Sequence, residues 1–235
     1  MSVDFTSAVV LVTGANGGLG TEFVQQALDL GAAKVYATAR TPREWGDARV
    51  VSLRLDVTDP ASVAEAAALA SDVTVLVNNA GVGSFAPIAT GADAELRAVF
   101  ETNFFGAVAV ARAFAPVLGA NGGGAILNVH SVLSWIGLAG AYSAAKAALW
   151  SATNSLRLEL APQGTLVTGL HVGYVDTPMA ATATGPKNDP ADVVRDSYAA
   201  LQAGEFEVLA DELSVSVKQG LSGSIADLYP QLLAS

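Results

Sequence analysis

No cysteine occurs among the 235 residues, which excludes a disulfide framework and a thiolate metal site. Charge is scarce as well. Only 14% of residues are charged, and 22 Asp and Glu outnumber 12 Lys and Arg. The resulting net charge of −10 argues against a nucleic-acid partner, because phosphate backbones are gripped by clustered basic side chains. Long unbroken apolar runs are missing too. The longest, 104–118, contains Gly106, Arg112 and Pro116, and is expected to be too short and broken to span a bilayer. The opening MSVDFTSAVVLVTG has no basic segment before its apolar residues, so it does not read as a secretory signal. The expectation is a soluble cytoplasmic protein with no membrane partner.

What the chain does have is apolar mass. Hydrophobic residues make up 51% of it, enough to bury a sizeable core, and no linker, repeat or charge block divides residues 1–235. We read a single domain. Short β-branched runs recur at 8–13, 33–38, 50–55, 73–77, 125–130 and 165–172, nearly continuous, as strands buried on both faces should be. Helical patterns at 18–30, 60–71, 93–118 and 141–161 separate them. Asp59-Pro60 supplies a cap and first-turn proline, and Gly31 a stop. The alternation predicts an α/β, Rossmann-like doubly wound parallel sheet of about seven strands with helices on both faces. Further on come a Pro/Ala/Thr-rich loop at 178–189, a helix at 190–203, a last strand near 206–210 and an amphipathic tail. The 178–205 region is a candidate substrate lid.

Residues 13–20, TGANGGLG, follow the first strand and open the first helix, the context in which a glycine loop binds pyrophosphate. Gly14 would allow the tight turn, Gly18 the approach of phosphate to backbone, and Gly20 close helix–strand packing. The helix N-terminus would offer free N–H groups. At the end of the second strand an acid would select NAD through the ribose hydroxyl. The chain instead reads Thr38-Ala39-Arg40-Thr41, and the guanidinium of Arg40 suits a 2′-phosphate. NADP(H) is therefore expected in preference to NAD(H).

These pieces, with Asp56-Val57, Asn78-Asn79-Ala80-Gly81, Asn103, Ser131 and Tyr142-Ser-Ala-Ala-Lys146, together resemble the short-chain dehydrogenase/reductases, in order from about residue 7 to 178. The resemblance implies a hydride-transferring oxidoreductase of carbonyl reductase or alcohol dehydrogenase type. In such enzymes the residue matching Tyr142 protonates the nascent alkoxide, and that matching Lys146 holds the nicotinamide ribose. The residue matching Ser131 hydrogen-bonds the carbonyl oxygen, and that matching Asn103 positions a relay water. The same likeness places Gly14, Asn16, Gly18, Leu19, Gly20, Thr38, Arg40, Thr41, Asp56, Val57, Asn79, Ala80, Gly81, Val175 and Thr177 around the coenzyme. Association through the long helices into a homodimer or homotetramer is also implied.

The chemistry of the residues agrees with that likeness. Tyr142 and Lys146, four apart on a helix, share one face. A nearby ammonium and an oxidised nicotinamide both favour phenolate, and are expected to pull the phenol pKa from 10 toward neutrality. A phenol so tuned can donate in reduction and accept in oxidation. Ser131 would add a donor where oxyanion charge develops.

Three departures from the family pattern stand out. Ser131 lies eleven residues before Tyr142, not the usual thirteen, so the 132–141 loop is two residues short and should reshape the pocket mouth. Ser134 lies too near to replace it. His130 and His171 could suggest a metal, but without carboxylate or thiol partners they are expected to be buried, hydrogen-bonded imidazoles; no metal is expected. Val172-Gly173 stands where the family has Pro-Gly. Phe85, Leu133, Trp135, Ile136, Leu138, Tyr174 and Met179 are candidate pocket residues, suited to a neutral hydrophobic ketone, aldehyde or secondary alcohol. Alternatives are a non-catalytic NADP(H)-sensing regulatory protein and an isomerase or dehydratase on the same fold.

Overall fold

The computed structural model describes residues 2–233. Seven strands form one sheet: β1 (Val9–Thr13), β2 (Lys34–Ala39), β3 (Val50–Arg54), β4 (Val75–Asn78), β5 (Ala125–Val129), β6 (Leu166–His171) and β7 (Glu207–Leu209). All neighbours are parallel, in the order β3-β2-β1-β4-β5-β6-β7. The expected doubly wound fold is present. Each strand lies within about two residues of its predicted run.

Alternating strand residues feed two apolar layers. On one face Val10, Val12, Val75, Val77 and Leu127 pack with helices α1 (Leu19–Asp29) and α6 (Pro190–Ala203). On the other, Leu11, Leu76 and Ile126 meet α2 (Pro60–Leu69), α4 (Ala107–Ala120) and α5 (Gly140–Leu160). This explains why the strands read as unbroken apolar runs rather than alternating ones. The outer strand β3 differs. Val51 and Ser52 are exposed, so this run is not buried on both faces as its sequence suggested.

The helical pattern expected at 93–118 is one continuous rod, and it is longer than the apolar run judged too short to span a bilayer. Helix α3 (Asp93–Phe100), a π-helical turn (Glu101–Gly106) and α4 run together over 28 residues. By length and composition alone this rod could cross a membrane. Here Val110, Ala111, Phe114 and Leu118 are buried within the fold.

The amphipathic tail becomes α7 (Glu212–Gly220) and the short α8 (Ile225–Leu228). It folds back on the rest of the chain: Lys218 pairs with Glu207, and the Tyr229 hydroxyl accepts from Gly137 N–H at 2.9 Å. Strand order reverses between β1 and β4. In such sheets ligands enter the crevice at the carboxyl ends of the strands, where Thr13, Asn78 and Val129 lie.

Candidate active site

At the end of β1 the chain turns through Gly14 (φ 67°) and Gly18 (φ 54°), values that only glycine adopts freely. Packing is backbone on backbone. A Cβ on Gly20 would lie 2.2 Å from Gly14 O, and one on Gly14 would lie 3.0 Å from Ala80 Cα. Thr13 Oγ1 accepts from Asn79 N–H (3.0 Å) and Ala80 N–H (2.9 Å), fixing the segment after β4 against the loop. The Asn79 amide donates to Thr13 O and Gly14 O, so Asn79 braces the loop from below. Gly18 caps α1 with no side chain, which leaves the positive helix end to a ligand. Beside it Gly17 opens onto space, with no atom within 4 Å of where a Cβ would sit. A pyrophosphate fits this cradle. Across the crevice, the Thr177 methyl lies 3.3 Å from a Cβ built on Gly18.

At the end of β2, Asn16 donates to Thr41 O at 2.7 Å, tying the loop to the strand end. Arg40 is exposed and makes no ion pair among the described residues, so its guanidinium is open to an anion. Thr38 is a correction. Its hydroxyl is buried and donates to Val12 O, which removes it from any coenzyme surface. Hydrogen bonds from Thr58 hold the Asp56 carboxyl below its ordinary range, and Arg40 and Arg54 add to the pull. Val57 packs beneath Gly106 in the π-helical turn, 2.8 Å from where a Cβ on that glycine would be.

That turn carries Asn103, which is 1% exposed. Its amide accepts from Val82 N–H (2.8 Å) and donates to Val82 O (2.9 Å). The side chain is thus committed to the loop after Gly81. π-Helical turns interrupt the regular ladder and recur at functional sites, and here one does so beside the crevice.

Ser131, Tyr142 and Lys146 converge from the end of β5 and the first turns of α5. Gly140 starts α5 at φ 51°, where any Cβ would strike Ala86 O at 2.2 Å. Lys146, 4% exposed, reaches across to donate to Val129 O at 2.7 Å, and its Nζ lies 5.7 Å from the centre of the Tyr142 ring. Ser131 caps a turn at Val132–Ser134, accepting from Leu133 N–H, while Ser134 Oγ accepts from Ser131 N–H. Ser134 is therefore the cap's partner, and it is Ser131 that acts on the phenol, favouring its ionised form.

The protein's own electrostatics run opposite to the pull expected with coenzyme bound. Burial raises the Tyr142 phenol to about 12, opposed by Ser131, and burial lowers Lys146 to about 8. Within the protein itself, desolvation dominates, and the phenol holds its proton.

The two histidines behind Ser131 differ from each other. His171 Nδ1 lies 3.2 Å from Ser131 O, and its ring stacks on Trp135 at 3.9 Å and 12°. His130 is buried with neither nitrogen hydrogen-bonded, contrary to expectation; its ring packs on His171 at 4.8 Å. Burial depresses both, His171 to about 3. A neutral His171 donating from Nδ1 leaves Nε2 bare, so Glu207 at 3.6 Å is engaged by Lys218 instead. No group of three metal-ligating side chains occurs among the described residues.

The pocket candidates divide. Phe85 meets the Tyr142 ring edge-on at 5.7 Å, and Met179 lies against Gly83 next to Phe85. Phe85, Leu138, Tyr174 and Met179 are all about half-exposed, and Leu133 is partly buried. Trp135 and Ile136 do not join them. Trp135 packs on His171, Trp150 and Lys218, toward the C-terminal segment, and Ile136 is buried. Thr13, His171, Asp211 and Tyr229 are contributors that sequence reasoning missed. Of these, His171 was expected to be a buried, hydrogen-bonded imidazole, and it is one.

A glycine cradle at a topological switch point, with a tyrosine, lysine and serine gathered beside it, defines a nucleotide-dependent oxidoreductase fold. The family model described as short chain dehydrogenase matches residues 8–188, and the chain belongs to that family. It is similar to a short chain dehydrogenase from Burkholderia cenocepacia J2315 solved in complex with NADP: 38% identity, TM-score 0.92, covering 98% of this chain and 100% of that one. It is 36% identical over 208 residues to cis-4-hydroxycyclohexanecarboxylate dehydrogenase of Sinomonas cyclohexanicum, covering 82% of this chain and 81% of the relative. It is also 34% identical over 223 residues to short-chain dehydrogenase ptmH of Penicillium ochrochloron, covering 88% and 80%.

Proposed function

We propose that this single-domain cytoplasmic oxidoreductase works with NADP(H), reducing neutral hydrophobic ketones or aldehydes or oxidising the matching secondary alcohols. The observation that carries this reading is the meeting of Tyr142, Ser131 and Lys146 beside the glycine cradle. Bound coenzyme supplies or accepts the hydride. Tyr142, protonated at neutral pH, donates its phenolic proton to a carbonyl oxygen as charge develops there, and accepts one in the reverse direction. Ser131 Oγ stabilises the same oxygen as a hydrogen-bond donor. Buried Lys146 has its Nζ 5.7 Å from the centre of the phenol ring; its charge favours phenolate once the proton has left.

Three further observations support the details. Arg40, exposed and without an ion pair, suits a 2′-phosphate, and the Burkholderia relative was solved with NADP. Phe85, Leu138, Tyr174 and Met179 offer an apolar rim with no cation for a carboxylate. Association through the long helices into a homodimer or homotetramer completes the proposal.

The test is loss of NADPH absorbance with a panel of aryl and alkyl ketones, run beside NADH. Wild type should consume NADPH, and Tyr142→Phe should lose about 10²–10⁴-fold in rate while still binding NADPH. Wild type that binds NADPH yet reduces none of the panel would favour a coenzyme sensor.

A further inference from the structure

The segment after β6, residues 173–188, runs along the crevice and carries Tyr174, Thr177 and Met179. Its two ends meet. Asn188 N–H donates to Tyr174 O at 2.8 Å, Asp176 N–H donates to Asn188 O at 3.0 Å, and Val175 bridges Asn188. Both ends then converge on one carboxylate, which lies outside the region matched by the family model. Asp211 Oδ2 accepts from Gly173 N–H and from Asn188 Nδ2, each at 2.7 Å. Its other oxygen accepts from Ser214 N–H at 2.7 Å and caps α7. A Cβ on residue 173 would lie 3.0 Å from Oδ2, so a glycine there lets the carboxylate approach.

We propose that Asp211 is a positioning residue that clasps the base of the 173–188 flap and so fixes the wall that Tyr174, Thr177 and Met179 present to coenzyme and substrate. This rests on the oxidoreductase reading of the crevice. Capping α7 needs only one oxygen, and Ser, Thr or Asn would serve it equally. The second oxygen is what the cap does not explain, and it faces two donors from the flap. A charged acceptor makes such bonds about twice as strong as neutral ones.

Asp211→Asn separates the two roles. The amide oxygen can keep the cap, but the amide nitrogen would then confront the Gly173 N–H and the Asn188 amide as a third donor. Asn188→Ala removes one flap end and leaves the cap untouched. In both variants of the full chain we expect tryptic cleavage after Lys187, within the flap, to quicken about tenfold. We also expect KM for the ketone and Kd for NADPH to rise several-fold with a smaller change in kcat. Should both variants keep wild-type cleavage and wild-type KM and Kd, the clasp is refuted. Faster cleavage in a protein that reduces no ketone would uphold the clasp and overturn only the proposed activity.

Discussion

The glycine cradle at residues 13–20 and the C-terminal wall at 171–229 border the same crevice and are held by opposite means. In the cradle, backbone rests on backbone, and the limiting quantity is space: a single methyl at Gly20 would sit 2.2 Å from a carbonyl oxygen. In the wall, side chains bridge distant segments. Asp211 ties Gly173 to Asn188, His171 lies against Ser131 O, and Tyr229 accepts from Gly137 N–H. The cradle is therefore vulnerable to added volume, and the wall to lost or altered charge. Two kinds of perturbation should tell them apart.

The largest effect is expected from Gly20→Ala. Its new methyl can only be accommodated by moving Gly14 or α1, so a stability loss of about 3 kcal/mol or more, with NADPH binding abolished, should appear in urea titration and fluorescence. Wild-type stability and binding would show that the loop yields more readily than this packing implies.

Next comes acid. Buried His171 binds a proton only near pH 3, whereas the unfolded chain's histidines protonate near 6.5. Stability from neutral burial is whole above pH 6.5. As pH falls below it the unfolded state gains protons the folded state refuses, and His171 alone lowers stability by about 1.4 kcal/mol per pH unit. His130, also depressed, contributes in the same window. Urea midpoints between pH 6.5 and 4.5 should show at least this slope, and His130→Leu should make it shallower. The Asp211 carboxyl acts lower. Burial raises it, but bonds from Ser214, Gly173 and Asn188 prevail and hold it below 3.8, so its contribution persists above that pH and is lost only in stronger acid.

The same contrast explains what could be read from sequence. The cradle is legible because its constraints are local: strand, glycines and helix follow one another, and glycine is the residue that fits. Tyr142 and Lys146 are legible because helical spacing fixes their shared face. The π-helical turn at Glu101–Gly106 leaves no mark of that kind, since ETNFFG continues an ordinary helical pattern. Thr38 was misassigned because strand position alone does not say which face a side chain takes. Trp135 was misassigned because a loop aromatic finds its partner, here His171, only through tertiary packing. Asp211 and Tyr229 were invisible for the same reason; their partners lie 38 and 92 residues away.

A smaller effect should come from Arg40→Ala. An exposed guanidinium contributes one charge-assisted contact to a phosphate in high dielectric, so NADPH affinity should fall about tenfold, roughly 1.4 kcal/mol, while NADH affinity stays the same. Equal losses for both coenzymes would mean that Arg40 supports the strand end and does not read the 2′-phosphate.

The smallest effect sharpens the comparison most, because it falls inside the cradle. Gly17 has no positive φ, and no atom lies within 4 Å of where its Cβ would sit. If steric crowding and not glycine content governs the loop, Gly17→Ala should leave stability within about 0.5 kcal/mol of wild type. Any change should then be confined to coenzyme affinity, since the methyl would point into the space a pyrophosphate takes. A Gly17→Ala protein as unstable as Gly20→Ala would remove the distinction, and with it the view that the cradle is shaped by particular close contacts.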